Sequence, residues 1–393
     1  MIHQYKNIVY LDDLLRHDSW RANLFIYNII SAGLSQGTGA ETPLLDNFPE
    51  SRGLTKNFSL QKFKSLCGEP EWTKVYFSIP RQASDYLLSC LPKYSLVIGY
   101  EMPPWLFETL SENKIPSISI RISPIRFSRD LYFDIYHTGI ESINDHIDSV
   151  SEQEISIEAG IIKASIIHNQ KNDEYNKKYA NSILYIGQTR IDASKIIKTR
   201  NGSSVASIAD YKEKICNAIE NRNILYKPHP YDQHFSKEEI IQLKKITGKN
   251  VTLIKTNIYT TLSVCRDLKY LTISSGSAME ASYFSRASHS LHTPWFYNNN
   301  LNKVLIRSEQ LLCPYFWSKI SNSGVKTIQI PHATPNLLRS RHNSYWGYDD
   351  YLLANDQFWF RVVHTGIKNL VKFYATNLKN RLSGWRKIKP KNN

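Results

Sequence analysis

Short β-branched runs alternate with helix-like segments twice along this chain, and few folds accommodate that pattern. Residues 75–79 (VYFSI), 94–99 (YSLVIG) and 115–122 (IPSISIRI) have strand composition. Residues 82–91 and 104–113 between them read as helices, the second with Pro104 in its first turn. The pattern returns with predicted strands at 182–186, 223–226, 251–254, 270–273, 288–292 and 325–330. Predicted helices at 207–220, 237–246 and 259–267 separate the earlier ones. Alternation of this kind predicts parallel sheets covered by helices. The polar stretch 169–179 (NQKNDEYNKKY) is the natural linker. The expected organisation is an α/β domain over 1–170, a second over 180–345, and a helical basic tail over 350–393. At 393 residues the chain is long enough for two cores.

Hydrophobic residues at 41% and charged residues at 21% fit a globular enzyme, and no apolar run approaches the roughly 20 residues of a membrane span. The first residues lack the apolar core of a signal peptide, so a cytoplasmic location is expected. Five widely spaced cysteines form no Cys-x-x-Cys pair, which argues for reduced thiols rather than disulfides or zinc. The net charge of +14 points to an anionic partner. Part of it crowds the C-terminus, from Lys368 and Lys372 to Lys389 and Lys391, where peripheral contact with an anionic membrane face and a solvated linker fit equally.

Two strand ends carry the sharpest chemistry. One strand runs into Lys227-Pro228-His229-Pro230. Ligands of open α/β sheets bind outside the carboxyl ends of strands. Lys227 offers a point charge for a phosphate, His229 a hydrogen-bond donor, and the prolines stiffen the exit. A second strand ends in Ser274-Ser275-Gly276-Ser277 and opens a helix, where amides and hydroxyls make an anion site. Ser277 is expected to cap that helix, with Glu280 at the capping-box position. Asp232, two residues past the His-Pro pair, is placed for the sugar end of a bound nucleotide, as an electrostatic stabiliser or a nucleophile.

Gln188 and Arg190 follow the first strand of the second half, positioned to close over a nucleotide. In residues 120–131 (IRISPIRFSRDL), Arg121, Arg126, Arg129 and Asp130 offer an arginine fork for a substrate carboxylate, or a solvated basic loop. Glu158 stands amid Ile155, Ile157, Ala159 and Ile161, a setting for acid/base use if it is partly buried. Residues 31–38 (SAGLSQGT) are too poor in glycine for a phosphate loop. No residues have metal-ligand spacing, and neither a metal nor a cofactor is expected.

The pairing of Lys227-Pro228-His229-Pro230 with Ser274-Ser275-Gly276-Ser277 resembles the His-Pro and Ser-Ser motifs of bacterial transferases that use CMP-linked acidic sugars. With Asp232 after the His-Pro pair and Arg129-Asp130 upstream, the strings look closest to the retaining β-Kdo transferase module of WbbB-type O-antigen proteins. The resemblance spans almost the whole chain. It implies a GT-B-like fold, two Rossmann-like domains facing a cleft. It implies CMP-β-Kdo as donor and a lipid-linked or soluble surface glycan as acceptor. It further implies net retention, with Asp232 as nucleophile and a glutamate from the first half, assigned to Glu158, as acid/base. His229, Lys227, Ser274, Ser275, Gly276, Ser277, Gln188, Arg190 and Arg129 would hold the donor. Such modules often precede further glycosyltransferase domains, and association with the inner membrane would follow from the basic tail. Ser277-Ala278-Met279 departs from the commoner sialyltransferase pattern.

Two other readings compete. A sialyltransferase or a polyol-phosphate transferase would use similar strand ends. A nucleic-acid or anionic-surface binder would account for the charge but leaves both strand ends unexplained, so no nucleic-acid partner is expected.

Overall fold

The computed structural model describes residues 5–17, 19–43, 52–128, 130–140, 149–169, 172–229, 232–297, 301 and 303–321. Among them, twelve strands form two five-stranded sheets and one two-stranded sheet. The strands are β1 (Asn7–Tyr10), β2 (Ser95–Tyr100), β3 (Ser117–Ile122), β4 (Tyr132–Thr138), β5 (Ser182–Ile186), β6 (Ile196–Thr199), β7 (Gly202–Val205), β8 (Asn223–Lys227), β9 (Val251–Leu253), β10 (Lys269–Thr272), β11 (Ser288–Ser290) and β12 (Lys303–Arg307).

The first sheet has the order β1-β2-β3-β4-β12. Its first three strands are parallel, whereas β4 and β12 are antiparallel to their neighbours. The expected all-parallel sheet is therefore mixed. Alternation along β1 shows why both faces need helices. Ile8 and Tyr10 point into a core shared with helices Ser19–Thr38 and Pro314–Ser321, while Val9 points into one shared with helices Leu60–Leu66, Arg81–Ser89 and Pro104–Glu112. Residues 31–38 end the first of these helices. Gly33 and Gly37 lie one turn apart against the chain at 312–318, where a Cβ on Gly33 would sit 2.6 Å from the Leu312 carbonyl oxygen. These glycines serve helix packing.

The second sheet has the order β11-β10-β5-β8-β9, all parallel. Its first strand in sequence lies in the middle. The chain winds outward through β8 and β9, then crosses to β10 and β11 on the other side, as in a Rossmann-type sheet. Helices Lys212–Ile219, Gln233–Thr247, Ile258–Val264 and Gly276–Tyr283 make the crossovers. The carboxyl ends of β5 and β10 meet at the point where the winding reverses.

Several expectations need correction. Residues 75–79 form no strand. A short 3-10 helix, Trp72–Lys74, and a turn occupy that region, and Tyr76 is buried. The linker 169–179 contains the helix Asn172–Lys178, directly after helix Glu152–Asn169. Strand β12 and the helices Ser308–Leu312 and Pro314–Ser321 follow the second sheet in sequence but pack with the first, with β12 paired to β4 from Lys303–Tyr136 to Arg307–Tyr132. The expected strand at 325–330 and the basic tail lie outside the described residues. No described helix is long and apolar enough to cross a membrane.

Candidate functional site

Three neighbouring strand ends of the second sheet, those of β8, β5 and β10, bring the candidate residues together. After β5 the chain turns at Gly187. A Cβ there would run into the Tyr226 hydroxyl and come within 3.0 Å of a Glu239 carboxylate oxygen, so only glycine fits. Gln188 follows and is buried. Its Oε1 accepts from the Ser274 amide at 2.8 Å, and its Nε2 donates to Ser274 Oγ at 3.1 Å and Ser194 Oγ at 3.2 Å. Ser194 and Ser274 hydroxyls lie 3.0 Å apart. Gln188 is thus spent on tying β5 to β10 across the switch point, and it organises the site rather than presenting a free amide.

The end of β10 continues through Ser274 and Ser275 into helix Gly276–Tyr283. Ser275, not Ser277, is the N-cap: its side chain accepts from the Ser277 amide. Glu280 is therefore not in a capping box. It is buried and accepts from the Arg126 amide and the Tyr259 hydroxyl, both at 2.8 Å. Gly276 and Ser277 are half-exposed at the amino end of this helix, the arrangement that favours an anion.

At the end of β8, half-buried Lys227 donates from Nζ to the Thr256 carbonyl at 2.6 Å. Burial lowers the pKa of His229, opposed by Asp192 and Asp232, so at neutral pH it is a neutral imidazole with one donor. Asp232 caps helix Gln233–Thr247. Its Oδ1 accepts from the Phe235 amide at 3.2 Å, and its Oδ2 from the Arg190 amide at 2.9 Å. One carboxylate thereby clamps the turn after β5 to the turn after β8. The Arg190 guanidinium pairs with Glu238 and lies over the Phe235 ring. Arg129 lies outside the described residues, as does Pro230.

Three groups at this edge escaped the sequence reading. Lys195, almost wholly buried, donates to the Thr189 and Arg190 carbonyls at 2.9 and 3.1 Å, and burial lowers its pKa. Glu239 accepts from the Tyr226 hydroxyl at 2.6 Å, and burial raises its carboxyl to about 7. Asp192 caps the 3-10 turn Ala193–Lys195 and acts electrostatically on both His229 and Arg121. Asp192 and Lys195 lie in the polar run 188–195 (QTRIDASK), where nothing distinguished a buried lysine from a surface one, and Glu239 lies on helix Gln233–Thr247.

Arg121, from the end of β3, connects this edge to the first sheet. Burial works against its charge, but Glu101, the closest of its anionic partners at 3.7 Å, and Asp192 hold it firmly protonated. Its guanidinium lies 3.3 Å from the Phe296 ring centroid. Arg121 is thus already engaged within the protein. Asp13, past the end of β1, is buried and its carboxyl is raised to about 7 by burial, against the Leu15 amide and Arg16.

Glu158 belongs to another neighbourhood. It is half-buried on helix Glu152–Asn169 and, with Glu154, disfavours ionisation of the already desolvated Tyr132 hydroxyl. Glu154 pairs with Arg307, and both glutamates line a cavity of about 310 Å³ with Ser151, Gln153, Ile157 and Ile161. Of the isoleucines around Glu158, Ile157 and Ile161 are exposed, while Ile155 and Ala159 face the core. Asp130 is held by Ser308, whose hydroxyl donates to its Oδ2 at 2.6 Å. Among the described residues, no group of three or more His, Cys, Asp or Glu is placed to hold a metal.

No family profile matches the sequence, and no curated protein matches it. Among solved structures, the chain resembles Thermosulfurimonas dismutans KpsC, a β-Kdo 2,7 transferase, at 17% identity and a TM-score of 0.29, over 62% of this chain and 80% of that one. It also resembles Methanocaldococcus jannaschii UDP-GlcNAc 2-epimerase with UDP-GlcNAc and UDP, at 12% identity and a TM-score of 0.27, over 87% of this chain and 98% of that one.

Proposed function

We propose that this chain is a GT-B-like glycosyltransferase whose second sheet grips the phosphate of CMP-β-Kdo and which transfers β-Kdo to a bacterial surface glycan with retention. One observation carries the reading: the parallel strands β8 and β10, which flank β5 in a Rossmann-order sheet, end with Lys227, His229, Ser274 and the amino end of helix Gly276–Tyr283 at one edge. The helix end and the lysine supply positive potential without a metal. Neutral His229 supplies a donor to a phosphate oxygen. The Gly276 amide and the Ser277 hydroxyl complete the cradle, with Ser275, which receives the Ser277 amide, and Gln188 holding it in shape.

Asp232 is the proposed nucleophile. Two backbone N–H groups fix its orientation, and a carboxylate has about four acceptor positions, so oxygen lone pairs remain for the anomeric carbon. CMP leaves, an acylal-type sugar ester forms on Asp232, and the acceptor hydroxyl displaces it; two inversions give retention. Glu158 is the proposed acid/base. The division into domains over 1–170 and 180–345 is retained in this proposal, with residues 303–321 returning to the first sheet.

Incubation of the purified protein with CMP-Kdo, CMP-sialic acid and CDP-polyols, each with a panel of short glycans, tests the donor assignment. Product only from CMP-Kdo is expected. Product only from another donor moves the chain to that class, and no product from any removes the transferase reading.

A further inference from the structure

The turn after β3 leaves its own sheet and is built into the other. Ile125 and Phe127 belong to the apolar core that includes Tyr259, Ala281 and Phe284 of the second half. The Phe127 ring lies 5.3 Å from Phe284, 6.2 Å from Tyr283 and 6.3 Å from Tyr259. Pro124 covers Gly276 so closely that a Cβ on that glycine would fall 2.5 Å from Pro124 Cβ. Between these apolar contacts lies one charged group. Glu280, 2% exposed, receives the Arg126 amide and the Tyr259 hydroxyl on the same oxygen, each at 2.8 Å. A carboxylate is costly to bury, and hydrophobic packing of this turn does not require one. What the carboxylate adds is direction, because it fixes one backbone amide of the turn relative to one helix.

We propose that Glu280 is a positioning residue of the donor site: by holding the Arg126 amide it seats the turn 123–128 against Gly276 and so fixes the amino end of helix Gly276–Tyr283. Glu280 lies one helical turn inward from Gly276, so a shift of the turn is felt where the phosphate is bound. The inference rests on the reading of that helix end as the phosphate site.

Hydrogen exchange by mass spectrometry, paired with CMP titration, tests it in the full chain. Glu280→Ala is expected to speed amide exchange about tenfold or more both in 123–128 and in 275–279, and to weaken CMP about tenfold. Glu280→Gln keeps an accepting oxygen and is expected to fall between wild type and Glu280→Ala. Glu152→Ala, which removes the exposed bond from Tyr283 on the same helix, is expected to match wild type in both readouts. Wild-type exchange in either segment of folded Glu280→Ala overturns the proposal, as does unchanged CMP affinity beside loosened exchange. If Glu280→Ala does not fold, Glu280→Gln decides: raised exchange in both segments supports the role, and wild-type exchange in both removes it. If wild type itself does not bind CMP, the donor reading falls, and exchange at 275–279 still decides whether Glu280 holds the helix end.

Discussion

A lysine whose ammonium already rests on a carbonyl, as Lys227 does on Thr256, exchanges a neutral acceptor for a charged one when a phosphate arrives. Charge-assisted bonds are worth roughly 1.5–3 kcal/mol. Lys227→Ala is therefore expected to weaken CMP at least about tenfold by calorimetry, and unchanged affinity in a folded variant would take Lys227 out of the site. Two buried carboxyls, Glu239 and Asp13, make a separate prediction about pH. Each binds its proton more tightly in the fold than in the unfolded chain. Their contribution to stability is complete below the ordinary carboxylate range and is lost as pH rises toward 7. For Glu239, raised from 4.5 to about 7, this corresponds to about 3 kcal/mol, and for Asp13, raised from 3.8 to about 7, to about 4 kcal/mol. Glu239→Gln still accepts from Tyr226 and removes the titration. Its melting temperature is expected to fall less than that of wild type between pH 5 and 8, and parallel profiles would show that Glu239 is not the titrating group. The places of Lys227, His229 and Ser274 were legible in the sequence because each follows a short apolar strand run, and ligands of open α/β sheets bind beyond such strand ends. Lys195, Glu239 and Asp13 were not, because their importance comes from burial by distant segments.

Helices and strands differ in how openly they declare themselves. Strands β5, β8, β9 and β10 of the second sheet were readable because each is short, contains a β-branched residue and leads on to a crossover helix. The region 75–79 has the same composition, yet the apolar groups of Tyr76 and Ile79 pack from a turn, and composition alone does not distinguish the two. Strand β4 was missed because Tyr132, Asp134, Tyr136 and His137 dilute its apolar pattern, although it is almost wholly buried. Gly33 and Gly37, too sparse for a phosphate loop, show their packing role only when the helix Pro314–Ser321 is placed beside them. Gly37→Val forces side-chain atoms into the Pro314 carbonyl and toward Trp317 Cβ, 2.7 Å from where Cβ alone would fall. It is expected to destabilise by at least about 2 kcal/mol in urea unfolding. A loss within a few tenths of a kcal/mol would mean that these helices are not packed at that distance.

Across the whole molecule, strand order was the least legible property. Nothing local marks β12 as a partner of β4, since the pairing joins residues far apart in sequence, and the crossing from β9 to β10 that creates the switch point is likewise a long-range event. Once that order is known, the strand-end motifs fall on the two strands that flank β5, which supports the proposal that one edge of the second sheet binds CMP-β-Kdo and that Asp232 carries the sugar between donor and acceptor. Intact-protein and peptide mass spectrometry of Glu158→Gln after incubation with CMP-Kdo tests this most directly. A single Kdo adduct is expected on the peptide that contains Asp232, absent from the double variant with Asp232→Asn. An adduct on a different residue, or an active wild type whose product is inverted, would contradict it.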